Sequence, residues 1–170
     1  MLFRSETELA TAQTHLAEEA KIVADQRRKS APNLAREVNQ YLPALALDHA
    51  SVSVTVEGED PADEIEIMFR ANSGTNWHAL PKVASGGELA RVMLALRLVL
   101  TAGPPTLVFD EVDAGIGGAA AIAVGKALSR LGMSHQVLVV THLPQVAAFG
   151  DQHLVVDKFD DGSQIGRAHV

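Results

Sequence analysis

Cysteine is absent from this sequence of 170 residues, which excludes disulfides and thiolate metal sites and fits a reducing compartment. No run of eighteen apolar residues occurs and the first residues lack a signal-peptide pattern, so the expectation is a soluble, cytoplasmic protein without a membrane partner. Positive charge is also in short supply. The formal net charge of −7 argues against a protein that grips a phosphate backbone unaided. No H-E-x-x-H motif occurs and the seven histidines are scattered, which speaks against a metal cage. Ser85 is not a nucleophile elbow, since Val83 stands where G-x-S-x-G needs glycine. No phosphate-cradling P-loop is present either: around Gly125-Lys126 the spacing is wrong, and Ala127 replaces the Ser or Thr that would hold Mg²⁺.

What remains is a chain with 47% apolar and 21% charged residues, the balance of a globular core and the length of one domain or one lobe of a larger one. Residues 5 to 40 contain no glycine, and Leu9, Leu16 and Val23 recur every seven positions. That spacing lines one side of a helix, either a coiled coil or an ordinary amphipathic helix. Pro32 predicts a break and a second helix from Asn33 to Tyr41, and the basic run Arg27-Arg28-Lys29 reads as a solvated face. Ser51 to Val56 and Glu64 to Phe69 alternate around Gly58-Glu59-Asp60-Pro61 and predict an antiparallel pair, at a sheet edge or on a small β-lobe. Trp77, in a polar loop, is either a platform for a ligand or a cover for the core.

Ser85 and Glu88 stand in capping-box relation before an apolar helix reaching Leu100. The box explains those two residues but not Gly86 and Gly87, each costing roughly 1 kcal/mol against Ala in a helical turn. Glycines there leave backbone N–H groups uncovered for an anion such as phosphate. Thr106 to Phe109 predicts a strand buried on both faces, running into Asp110 and Glu111 at its carboxyl end, where open α/β sheets bind ligands. Neighbours on an extended chain point opposite ways, so one acid can face a metal and the other a water. The plainer alternative is a strand ending at a polar turn. A Gly-rich turn from Asp113 to Gly118, a helix to Leu131, a strand Gln136 to Val140 ending at Thr141-His142, a short helix and a last strand over His153 to Val156 complete the pattern. That order predicts a parallel sheet with His142 on the same edge as the acids.

These pieces, in this order, resemble the C-terminal half of an ABC-type ATPase head. The stretches KVASGGELARVMLAL, FDEVDAGIGG and VTHLPQVAAFGDQHLVVDK are narrower and resemble the bacterial DNA repair family RecN, relatives of the structural-maintenance-of-chromosomes (SMC) proteins. The likeness covers about residues 20 to 160. It implies an α/β fold, the C-terminal lobe of a P-loop NTPase-like ABC head: a mostly parallel sheet with flanking helices, a coiled-coil-end helix and a β-hairpin. The implied division is a helical segment at 1–42, the lobe at 43–160 and a non-native or disordered tail at 161–170, whose residues Gln164 to Val170 depart from the family.

The resemblance also implies roles, in double-strand break repair and recombination with ATP and Mg²⁺ as cofactors. Ser85, Gly86, Gly87 and Glu88 match the signature motif, which meets the γ-phosphate held by an opposite head. Asp110 matches the Walker B aspartate that holds Mg²⁺ through water, and Glu111 the general base. Asp113 lies in the D-loop at the head–head interface, and His142 matches the switch histidine. The implied partners are an N-terminal lobe carrying Walker A, a second head in a homodimer, and DNA through the full assembly at the nucleoid. This chain alone, without Walker A, is expected to hydrolyse no ATP. Another ABC-type ATPase, whether SMC relative or transporter subunit, and a non-catalytic interaction lobe are the alternatives.

Overall fold

A single helix of 40 residues, α1 (Leu2–Tyr41), leads into everything else. It comes from a computed structural model that describes residues 2–100, 103–157 and 167–169. The break expected at Pro32 does not occur: Pro32 lies inside α1. Proline there removes the bond to the Arg28 carbonyl, a loss of about 3 kcal/mol. Packing on both sides of it keeps the helix continuous, because Ala24, Ala31, Ala35, Val38 and Leu42 form a buried stripe on the flank facing the rest of the chain. The heptad residues Leu9, Leu16 and Val23 lie exposed on a different stripe.

A 3₁₀ turn (Pro43–Leu45) ends with Ala46 in the left-handed region and turns the chain back. Strands β1 (Ser51–Glu57) and β2 (Glu64–Arg70) then pair antiparallel, with Val52 opposite Phe69 and Val54 opposite Ile67. A two-residue β3 (His78–Ala79) adds to β2, so the hairpin belongs to a small sheet of its own, ordered β1-β2-β3. The Asn39 amide ties α1 to this sheet: its Nδ2 donates to the Val52 carbonyl at 2.8 Å and its Oδ1 accepts the Val52 N–H at 2.7 Å. Higher up, Arg27 donates to the Pro61 and Ala62 carbonyls, and Arg28 reaches Asp60 and the Gly58 carbonyl. Two residues of the basic run therefore clasp the hairpin turn and are not merely solvated. Trp77 stacks under the Arg70 guanidinium, 4.6 Å from the ring centroid.

After the one-turn α2 (Leu80–Val83) comes α3 (Gly86–Val99), which buries Val92, Leu94, Ala95 and Leu96. Strand β4 (Thr106–Phe109) pairs parallel with β5 (Gln136–Val139), Phe109 opposite Val139, joined by α4 (Gly118–Gly132). The expectation that β4 is buried on both faces fails. Leu107 and Phe109 point into the core, while Val108 on the other face is 67% exposed beside exposed Leu138 and Val140. Among the described residues no element covers that face, so an apolar run that reads as doubly buried is open on one side.

The last strand also departs from expectation. Beyond the single turn α5 (Pro144–Ala147), β6 (Val155–Asp157) pairs antiparallel with β7 (Arg167–His169) and not with β4 or β5. One turn of helix is too short to cover a sheet face as a crossover helix does, and Val155 takes a local partner instead. Of the tail expected at 161–170, residues 161–166 and 170 lie outside the described residues. One core joins the end of α1 to the β1-β2-β3 sheet and the β4-β5 pair through Leu42, Leu45, Phe69, Val92, Phe109 and Val124.

Candidate functional site at the carboxyl ends of β4 and β5

Parallel pairing puts the residues after β4 and β5 at one rim. The Val140 N–H donates to the Phe109 carbonyl at 2.9 Å, level with the point where the chain leaves into Asp110. Asp110 and Glu111 are exposed there. Asp110 Oδ1 accepts the Glu111 N–H at 2.9 Å, and Glu111 itself takes a positive φ of 57°. A non-glycine residue in that region is strained and held by its surroundings. The next residue, Val112, is fully buried and anchors the turn.

Helix α3 opens against this turn. Ser85 Oγ accepts the Glu88 N–H at 3.3 Å, and Glu88 Oε2 accepts the Ser85 N–H at 2.9 Å and the Ser85 hydroxyl at 3.0 Å. The capping box is therefore complete, and the carboxylate of Glu88 is engaged by it. Gly86 is exposed, and a Cβ there would collide with the carboxylate of Glu111. Gly87 differs from the sequence expectation of an uncovered backbone. It is buried, and a Cβ would lie 2.9 Å from the Ala114 carbonyl and 3.0 Å from the Ala114 methyl. Its lack of a side chain lets α3 and the loop after Asp113 touch.

Arg91 seals the same contact and went unremarked as a functional candidate in the sequence. It is 6% exposed, and Nη1 donates to the Ala114 carbonyl at 2.9 Å, while Nε has no partner. Burial lowers the guanidinium pKa from its ordinary value, opposed by the charge of Glu88. A signal was available: Arg91 is the single charge in the apolar run Leu89 to Leu96.

Asp113 is 2% exposed and turns to the end of β5. Its Oδ2 accepts a short hydrogen bond from the Thr141 hydroxyl and the His142 N–H at 3.2 Å, and lies 3.4 Å from His142 Nδ1. Burial raises the Asp113 pKa, but the bonds from Thr141 and His142, with attraction to His142, outweigh it and hold the carboxyl below the ordinary range. The His142 side chain is 72% exposed. Thr141 Oγ1 also accepts the Leu143 N–H at 3.1 Å, and Phe149 seats the segment behind it by packing where a Cβ of Gly125 would stand.

The eight sequence candidates thus fall into two connected groups: Ser85, Gly86, Gly87 and Glu88 at the tip of α3 with Glu111 against Gly86, and Asp110, Asp113 and His142 at the strand ends. Among the described residues no group of three or more His, Asp or Glu could hold a metal alone. Mg²⁺ does not require one, since it keeps several waters and is bound through one or two carboxylates plus substrate phosphates. An exposed Asp110 with one oxygen engaged and the other open fits that role.

The class comes from the fold. The structure superposes on a crystal structure of the Smc head domain with an extended coiled coil, bound to the C-terminal domain of ScpA, from Pyrococcus furiosus, with a TM-score of 0.68 at 22% identity over 96% of this chain and 41% of that one. The fold is that of part of an Smc head domain. No protein-family model matches the chain. Among curated proteins it is 45% identical to DNA repair protein RecN of Streptomyces coelicolor over 163 residues, 85% of this chain and 28% of that protein. It is 41% identical to RecN of Mycobacterium leprae over 191 residues, 95% of this chain and 32% of that protein. The chain belongs to the RecN family, and it spans under a third of the length of these relatives. No helix among the described residues is long and apolar enough to cross a membrane.

Proposed function

We propose that the chain is the C-terminal part of a RecN-type, SMC-like ATPase head in double-strand break repair and recombination, completing ATP hydrolysis at an interface between two heads. The observation that carries this is the shared rim: Asp110 and Glu111 leave β4, and Thr141 and His142 leave β5, in parallel register, with the tip of α3 against Glu111. Phosphoryl transfer needs positioning and charge stabilisation more than covalent chemistry from the protein, and this rim gathers groups suited to both. Asp110 would hold Mg²⁺ through water, and the ion would neutralise charge on the phosphate oxygens. Glu111 is the general base that orients the attacking water, and His142 contacts the γ-phosphate. Ser85 and Gly86 present the start of α3 to a nucleotide on the opposite head, while Gly87 and Glu88 shape that tip from behind.

Asp110, Glu111, Ser85, Gly86 and His142 are all exposed, as groups that must meet a ligand are. The nucleotide's phosphates are cradled by a P-loop in an N-terminal lobe of the same protein, and the second head comes from a homodimer. DNA is engaged by the full assembly, at the nucleoid in the cytoplasm. The exposed stripe of Leu9, Leu16 and Val23 supports a partner helix along α1, and the open face of β4 and β5 supports a lobe packed on it. The RecN relatives favour this over a transporter subunit, and the exposed acid pair favours it over a non-catalytic lobe.

Glu111→Gln in the full-length protein tests the assignment. Hydrolysis should fall by about 10²-fold or more, while ATP-held dimers accumulate in size-exclusion chromatography. Unchanged turnover would overturn the role given to Glu111. The chain by itself should hydrolyse no ATP.

A further inference from the structure

We propose that Asp113 is a positioning residue for His142 of the same chain: its buried carboxylate anchors the Thr141 hydroxyl, the His142 backbone and the Nδ1 edge of the ring, and so fixes where Nε2 meets a phosphate oxygen. This rests on the assignment of His142 to ATP made above, and it gives Asp113 a different job from the head–head contact that the family resemblance implies. One oxygen, Oδ2, takes all three interactions, at 3.2 Å to the His142 N–H, 3.4 Å to Nδ1 and closer to Thr141. A carboxylate only 2% exposed and facing its own chain has no surface to offer another head.

The arrangement holds both the backbone and one edge of the ring while leaving the other edge open to solvent. Thr141 passes the constraint on to the Leu143 N–H, so three consecutive residues are tied to one buried charge, while the His142 side chain stays 72% exposed. With Nδ1 turned to the carboxylate, the opposite ring nitrogen is the one presented outward. The role parallels a buried acid that orients a catalytic imidazole from behind. Asn at position 113 still offers an oxygen to Thr141 but has no charge to hold the ring.

The test uses the full-length protein and the variants Asp113→Asn, His142→Ala and their combination. Asp113→Asn should lower kcat for ATP roughly 10- to 100-fold, the range for losing a group that orients a functional residue, with KM nearly unchanged. ATP-dependent dimers, trapped in a Glu111→Gln background, should persist. Adding Asp113→Asn to His142→Ala should cost nothing further, because an orienting group has nothing left to orient. If Asp113→Asn fails to fold by circular dichroism, Thr141→Val, which keeps the carboxylate, takes its place and should show a smaller loss that again vanishes beside His142→Ala. Loss of ATP-held dimers in Asp113→Asn would place Asp113 at the interface and overturn the proposal, as would an undiminished loss in the His142→Ala background. Normal kcat in His142→Ala would instead remove the assignment of His142 itself, and the positioning role with it.

Discussion

Gly86 and Gly87 stand side by side and do different work. A Cβ on Gly87 would press on the Ala114 carbonyl, which is backbone and cannot swing aside, whereas a Cβ on Gly86 would meet only the end of the Glu111 side chain. Gly87→Ala should therefore destabilise the fold by about 1–3 kcal/mol, measured by urea titration. Gly86→Ala should leave stability nearly unchanged and instead displace Glu111, so that its cost appears in the ATP hydrolysis proposed for the full-length protein. The capping box of Ser85 and Glu88 was legible in the sequence because its partners sit three residues apart. The clamp of Thr141 on Asp113 was not, since it spans 28 residues and arises only once β4 and β5 lie parallel. Arg91 is the intermediate case: its oddity shows in the pattern, but its partner, the Ala114 carbonyl, is invisible until the chain folds.

At the scale of elements, α1 shows tertiary packing overriding a local breaker. Nothing in the immediate sequence says that Pro32 will be spanned, because the buried stripe from Ala24 to Leu42 that holds the helix together gains its value from the sheet and from α3. Pro32→Ala restores a donor to the Arg28 carbonyl and should raise stability by about 1–3 kcal/mol, read as a shift in the urea midpoint. The hairpin, by contrast, follows its alternating pattern, since each of its strands is stabilised mainly by its sequence neighbour. The missing third parallel strand has the opposite cause: a short apolar run fits any strand partner, and the chain around Val155 found one in β7.

For the molecule as a whole, the open face of the parallel pair is the dominant feature. Val108, Leu138 and Val140 lie exposed together, and beside them a groove lined by Leu89, Met93 and Val108 runs to Asp110 and Glu111. Contiguous apolar surface of this kind marks an interaction site or a tendency to associate. The chain on its own should form concentration-dependent oligomers in analytical ultracentrifugation. Replacing Val108 and Leu138 by Thr should raise the association midpoint by about tenfold or more, corresponding to at least roughly 1.4 kcal/mol of lost apolar burial. Joined to the N-terminal lobe proposed above, the same face should be covered and the effect disappear.

The amide of Asn39 has one further consequence. By taking both hydrogen-bonding groups of Val52, it fixes the register of α1 against the sheet, with the Arg27 and Arg28 clasp as a second hold further out. At 1.5 Å per residue, α1 is a lever roughly 60 Å long. A rocking of about 5° where it joins the sheet sweeps the far tip through roughly 5 Å, so a small rearrangement at the root is magnified at the end of the arm.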